Sequence, residues 1–176
     1  MKFLETEIPG VYLIEPNIFQ DERGIFIKTF HETTFKELKL DCDFKENLSS
    51  RSRKGVIRGM HFQTPPYECA KLVYVAFGRI IDVVLDVRKG SPTYGKFIAV
   101  DLSELFSGKG KMIYIPKGCA HGFLALEENS TVVYPQTAIY SAEHDKGIRW
   151  DSFGMDWGIE NPIVSKKDSS FPKLEE

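Results

Sequence analysis

Short β-branched and aromatic runs alternate along this chain with clusters of turn-forming residues. VYLIE (11–15), IFIKTF (25–30), VIRGMHF (56–62), KLVYVAF (71–77), RIIDVVLDV (79–87), KFIAV (96–100), KMIYI (111–115), GFLAL (122–126) and TVVYPQTAIY (131–140) read as strands. In the fifth run Ile81, Val83, Leu85 and Val87 fall on one face, and Asp82, Val84 and Asp86 on the other. DERG (21–24), KGSPTYG (89–95), SGKG (107–110) and PKG (116–118) supply the turns. Only ETTFKELKL (32–40) has a strongly helical pattern, with SELF (103–106) as a short second candidate. Strands this closely spaced, with so little helix, predict an all-β antiparallel double sheet or barrel. No repeat or linker interrupts it, so residues 1–176 are expected to form one domain. Beyond Trp150 the chain is rich in turn formers yet keeps Phe153, Trp157, Ile163, Val164 and Phe171. A disordered tail would lack such anchors, so this segment is expected to wrap back over the barrel.

Composition narrows the function classes. The chain has 42% hydrophobic and 27% charged residues and a net charge of -2, with its basic residues scattered. Binding to nucleic acid needs a continuous positive surface, so that class is disfavoured. No apolar run reaches the length of a membrane span, and MKFLETEIPG has no signal-peptide core. A cytoplasmic, membrane-free protein is expected. Cys42, Cys69 and Cys119 are odd in number, widely spaced and without a CxxC pair, which points to inert thiols rather than a disulfide framework or zinc knuckle.

The segment GKMIYIPKGCAHGF (110–123) has the form G-x5-P-x-G-x2-H. It resembles the second signature motif of the cupin superfamily, which implies a jelly-roll barrel with His121 pointing into its cavity. Metal-binding cupins add an H-x-H and a Glu. Here His61 is followed by Gln63, and Lys71 stands where the Glu belongs. A divalent cation needs three or more neutral or anionic ligands. His61 and His121 alone supply too few, and an ammonium at Lys71 repels the ion. No metal is expected.

A more specific likeness runs through nearly the whole chain in order. Its pieces are Arg58-Gly59-Met60-His61-Phe62-Gln63, Lys71-Leu72-Val73, DVRKGSPTYG (86–95), IPKGCAHGF (115–123), Tyr134, EHDKGIRW (143–150) and NPIVSKKD (161–168). Together these resemble the dTDP-4-dehydrorhamnose 3,5-epimerase family. The resemblance implies an epimerase that inverts C3 and/or C5 of a nucleotide-linked 4-keto-6-deoxyhexose without a cofactor, in deoxysugar biosynthesis. The 4-keto group acidifies the flanking hydrogens, so the reaction needs a base on one face, an oxyanion stabiliser and an acid on the other face. By the family's motifs the base is His61, oriented by Asp168. Lys71 is the oxyanion stabiliser and Tyr134 the acid. Each has a bland alternative as a buried hydrogen-bonder, edge charge, turn cap or core aromatic.

The same resemblance assigns Arg23, Phe26, Lys28, Glu46, Arg58, Tyr140 and His121 to substrate binding. It also implies a homodimer with an exchanged N-terminal strand, through which Arg23 and Phe26 serve the neighbouring subunit. The sequence departs from the family where the nucleotide is read. Lys28 replaces a Glu that meets thymine, Leu48 and Ser49 replace polar residues, Pro135 follows Tyr134, and Ser169 follows Asp168. Three alternatives therefore stay open: a C3-only or C5-only epimerase on a CDP-linked sugar, a metal-dependent cupin enzyme, and a non-catalytic sugar-nucleotide-binding module.

Overall fold

A computed structural model describes residues 1–175. The strands are β1 (Lys2–Glu5), β2 (Tyr12–Glu15), β3 (Asn17–Asp21), β4 (Gly24–Lys28), β5 (Glu46–Ser52), β6 (Val56–Gln63), β7 (Lys71–Phe77), β8 (Arg79–Asp86), β9 (Phe97–Ser103), β10 (Met112–Ile115), β11 (Cys119–Ala125), β12 (Ser130–Gln136), β13 (Asp145–Gly147) and β14 (Ile163–Val164). Two short helices, α1 (Glu32–Glu37) and α2 (Lys166–Ser169), complete the set. One sheet runs β1-β2-β10-β7-β12-β5, and the facing sheet runs β13-β6-β11-β8-β9. Pairing is antiparallel except where β14 joins β6 in parallel, and β3–β4 form a separate two-stranded ribbon. This is the expected jelly-roll barrel.

Three apolar layers hold it together. Val73, Val75, Ile113 and Val132 of the first sheet meet Ile80, Val84, Leu102 and Phe123 of the second. The outer face of the first sheet, with Ile14, Leu72, Met112 and Tyr114, is covered by Phe35 of α1. The outer face of the second, with Ile57, Met60, Val83, Leu85 and Leu124, is covered by Phe153 and Trp157 of the C-terminal segment. The alternation in β8 is thus real, but both of its faces are buried because the tail supplies the second cover. Burying Phe153 alone stabilises the docked tail by about 2–3 kcal/mol. The Trp157 indole N–H is satisfied by the Trp150 carbonyl at 3.0 Å.

The helical candidates are shorter than their patterns. α1 stops because Lys39 takes φ +57 and the Leu40 N–H turns back to the Phe35 carbonyl. The segment around SELF forms only a 3-10 turn at Leu105–Ser107, closed by Gly108 at φ +78. Strand β5 (ENLSSRS) has no apolar alternation, since it is a sheet edge and carries little of the core. The three cysteines are buried and unpaired. Burial pushes their thiols up, that of Cys119 to about 12, so all three stay protonated at neutral pH. Among the described residues no helix is long and apolar enough to cross a membrane.

Candidate active site

Strand β6 organises the site through a bulge. His61 pairs with His121, but Arg58 pairs with Phe123, so three steps on β6 oppose two on β11. Gly59 absorbs the mismatch at φ +125. A Cβ there would lie 2.5 Å from Gly122 Cα and 2.8 Å from the His121 carbonyl oxygen, so only glycine fits. The bulge also turns the Gly59 N–H out of the ladder, and it donates to Asp168 Oδ2 at 2.9 Å.

The other edge of β6 is closed by the C-terminal segment. β13 pairs with its end, setting Asp145 opposite Gln63 and Gly147 opposite His61, while β14 pairs with its start. After β14, Ser165 caps α2 by accepting the Asp168 backbone N–H at 3.0 Å. An acidic side chain at this third helical position often folds back onto the cap. That of Asp168 instead reaches Gly59 and the ring of His61.

His61 is held between two carboxylates. Nε2 lies 3.2 Å from Asp168 Oδ1, and Nδ1 lies 3.6 Å from Asp145 Oδ1. The second oxygen of Asp145 is paired with Lys167. Phe171 packs edge-on against the imidazole with ring centroids 5.2 Å apart. Burial opposes protonation of His61, but the two carboxylates outweigh it and raise its pKa above the ordinary value. Asp145 is held down to about 2 against burial by His61 and Lys167, and Asp168 is lowered against burial chiefly by His61 and the Gly59 N–H.

His61 opens onto a cavity of about 520 Å³, within the range of small-ligand sites. Arg58, Lys71, His121, Tyr134 and Tyr140 share its wall. Lys71 opens β7, is only 8% exposed, and donates from Nζ to the His61 carbonyl at 3.5 Å. Tyr134 lies on β12 opposite Leu48 of β5. Burial pushes its phenol up, partly offset by the Arg58 charge, so it is a protonated donor at neutral pH. His121 Nε2 sits 2.7 Å from Asp82 Oδ2, and Asp82 is fully buried. The Arg58 guanidinium is steadied by the Ser52 hydroxyl at 3.0 Å.

Two side chains brace the cavity mouth. Gln63 donates to the carbonyls of Tyr67 and Ile139 and accepts from the Ser141 N–H. Glu46 accepts from the Gln136 amide and the Tyr140 N–H, both at 2.8 Å. Glu46 therefore does not line the cavity; it fixes the backbone that carries Tyr140. Arg23, Phe26 and Lys28 stand apart on the β3–β4 ribbon, outside the cavity of their own chain. Arg23 pairs with Asp21 at 2.6 Å, and Phe26 is 64% exposed beside Phe19, which is also exposed.

The donor set does not suit a metal. The Gln63 amide is committed to backbone, the Lys71 ammonium shares the cavity, and the two carboxylates face opposite nitrogens of one ring. Among the described residues no group of three or more His, Cys, Asp or Glu is arranged to hold an ion. Asp145, Lys167 and Phe171 were not foreseen as parts of the site. The signal for Asp145 was the EHDKGIRW segment, whose three-residue strand is too short to read by periodicity, and Lys167 and Phe171 flank the Asp168 motif.

Comparison with known proteins supplies independent findings. The family profile described as dTDP-4-dehydrorhamnose 3,5-epimerase matches residues 5–176. A dTDP-4-dehydrorhamnose 3,5-epimerase of Methanothermobacter thermautotrophicus is 42% identical over 99% of this chain and 95% of its own. The crystal structure of the Bacillus anthracis dTDP-4-dehydrorhamnose 3,5-epimerase, with TDP and PPi bound, superposes with a TM-score of 0.92 at 36% identity, covering 98% of this chain and 99% of that one. A Legionella pneumophila dTDP-6-deoxy-D-glucose-3,5-epimerase, in complex with dTDP-4-keto-L-rhamnose, gives 0.89 at 33% identity over 99% of each chain.

Proposed function

The chain belongs to the dTDP-4-dehydrorhamnose 3,5-epimerase family, a family of isomerases, and on that premise we propose that it inverts C3 and C5 of a dTDP-linked 4-keto-6-deoxyhexose. The observation that carries this function is the convergence of a carboxylate-held imidazole, an ammonium and a phenol on one cavity, from β6, β7 and β12. The ligands in the Bacillus and Legionella relatives support a dTDP-linked substrate.

His61 takes the proton from C5 or C3. The electron pair of that C–H bond moves into the bond to C4, and the negative charge gathers on O4. Lys71 stabilises this enolate oxygen as a fixed cation. Asp168 holds the imidazole and the imidazolium it becomes. Tyr134 then gives its phenolic proton to the opposite face of the carbon, which re-forms the C–H bond with inverted configuration. Tyrosinate and imidazolium reset by proton exchange with water. The chemistry is proton transfer alone and calls for no cofactor.

Arg58, His121 and Tyr140 bind the sugar and phosphate portions. Arg23 suits a pyrophosphate through charge-assisted hydrogen bonds, and Phe26 offers a face to the base. Both lie outside their own chain's cavity, so a homodimer in which the β3–β4 ribbon crosses to the neighbour accounts for their exposure. Residues 1–176 act as one catalytic domain, and the three unpaired thiols suit a cytoplasmic setting.

The test is His61→Ala with the dTDP-linked 4-keto sugar in deuterated water, following deuterium at C3 and C5 by NMR. The exchange rate is expected to fall by about 10²–10⁴-fold or more while the fold persists. Exchange at the wild-type rate would remove His61 from the role.

A further inference from the structure

The base carries one more carboxylate than proton abstraction requires. A neutral imidazole has one N–H and one lone pair. Asp168 is the closer carboxylate, and the Gly59 N–H anchors it, so it takes the N–H of the resting ring. Nδ1, which then carries the lone pair, lies 3.6 Å from Asp145 Oδ1. A carboxylate 8% exposed against a lone pair is repulsive unless its charge is shared. Lys167 shares it by pairing with the far oxygen of Asp145. The same Lys167 ammonium lies 5.9 Å above Phe171, whose edge packs against His61, so the clamp closes around the ring from two sides.

Once His61 has taken a proton from the sugar, the ring carries a positive charge with its new N–H beside Asp145. The repulsive contact becomes an attractive one at the step where charge develops. We propose that Asp145, moderated by Lys167, is a second positioning residue for the base, favouring the protonated ring on its Nδ1 side as Asp168 supports the Nε2 side. This rests on the assignment of His61 as the base.

The charged and titratable groups around His61 are Asp145 on β13, Lys167 and Asp168 on α2, Lys71 on β7, and His121 with Asp82 across the ladder. Arg58, Tyr134 and Tyr140 line the cavity beyond. Asp145 and Lys167 can be changed without touching the groups assigned to proton transfer or to substrate binding. Their charges have opposite signs, so their removal must act in opposite directions.

The experiment follows the imidazole signals of protein labelled in its four histidines across a pH titration, with His61 assigned by its loss in His61→Gln. Asp145→Asn is expected to lower the His61 midpoint by about one pH unit or more, because a neighbouring opposite charge is removed. Lys167→Met is expected to raise it. The acidic limb of the C3 and C5 exchange profile should move with each midpoint. A midpoint unmoved in Asp145→Asn, or both variants moving it the same way, would overturn the proposal. Should Asp145→Asn fail to fold, Lys167→Met still decides, since that side chain is half exposed and a midpoint that does not rise refutes the clamp. The titration reads His61 whether or not it is the base. Exchange surviving in His61→Ala would therefore sink the base assignment and leave the clamp to be judged on the midpoints alone.

Discussion

Gly147 is the point where barrel, tail and the proposed base His61 meet, and Gly147→Ala tests whether they are coupled. Its backbone is not in the left-handed region, so alanine costs nothing in conformation there. The difficulty is space. A Cβ at this position would lie 2.3 Å from Phe171 Cε2 and 2.6 Å from the Met60 carbonyl oxygen. Real carbons do not approach this closely, so Phe171 must leave the His61 ring or β13 must pull away from β6. The second option breaks the Ile148 N–H donation to Met60 O at 3.1 Å. Overpacking of this kind typically costs 1–3 kcal/mol and a lost backbone hydrogen bond about 1 kcal/mol, so roughly 2–4 kcal/mol is expected. For a chain of this length that lowers the melting temperature by about 5–15 °C.

Either outcome loosens Asp145 or Phe171, the two supports on the β13 side of the imidazole. The exchange rate at 25 °C should therefore fall even where the variant is fully folded. Calorimetry or thermal circular dichroism gives the melting temperature, and deuterium exchange at C3 and C5 gives the rate. A variant that melts within a degree of wild type and exchanges at the wild-type rate would refute the coupling. Restored activity in Gly147→Ala combined with Phe171→Leu, which removes the clashing ring carbons, would localise the defect to Phe171.

Tyr134→Phe should uncouple the two halves of the reaction: exchange into the substrate continues, while net inversion, read by NMR of the product, falls. Equal losses of both would make Tyr134 a positioning group. Lys28→Glu should raise the preference for dTDP over CDP in competition binding, because a carboxylate accepts from thymine N3–H and an ammonium cannot; an unchanged ratio would place Lys28 away from the base. Stability should also depend on pH through the same cluster. Asp145 folds with its pKa at about 2, so its contribution is present above the ordinary Asp value of about 3.9 and lost as pH falls towards 2. His61 is raised, so its contribution is full below the ordinary value of about 6.5 and lost as pH rises through the folded value. The charged cluster should therefore stabilise most between about pH 4 and 6.5, and a melting temperature flat from pH 3 to 8 would contradict it.

What was legible in the sequence follows from where periodicity survives. The β7, β8 and β12 runs carry the barrel interior, so their apolar alternation announces them. Strand β5 was invisible because an edge strand has little core to build, and serines carry its alternation. β13 and β14 are too short to show any period. They exist because β6 offers an open edge, which is a tertiary fact. His61, Asp168, Lys71 and Tyr134 were each anchored in a recognisable motif, and the structure brings all four to one cavity. Asp145 was not separable from its neighbours, since Glu143 and Asp145 in EHDKG are equally acidic on paper. Only the pairing of Asp145 with Gln63 decides which one meets the ring. Glu46 braces the cavity wall for a related reason: its carboxylate accepts a backbone N–H ninety-four positions away in sequence, which no local pattern displays.

The architecture explains why His61, the proposed base, and the carboxylates beside it are held by such different parts of the chain. A sheet positions side chains well, but each strand offers the cavity only every second residue. His61 can thus be aimed by β6, yet no residue of β6 can also approach both ring nitrogens in the plane of the imidazole. Those contacts must come from outside the barrel edge. The segment after β12 meets that need while performing a second task, since the outer face of the second sheet would otherwise expose Ile57, Met60, Val83 and Leu85. Phe153 and Trp157 dock there, and the docking energy carries β13, β14 and α2 onto the β6 edge with Asp145 and Asp168 aboard. Substitutions under Phe153 or Trp157, well away from the cavity, should therefore slow exchange at C3 and C5, by loosening the carboxylates from the proposed base His61, before they unfold the barrel.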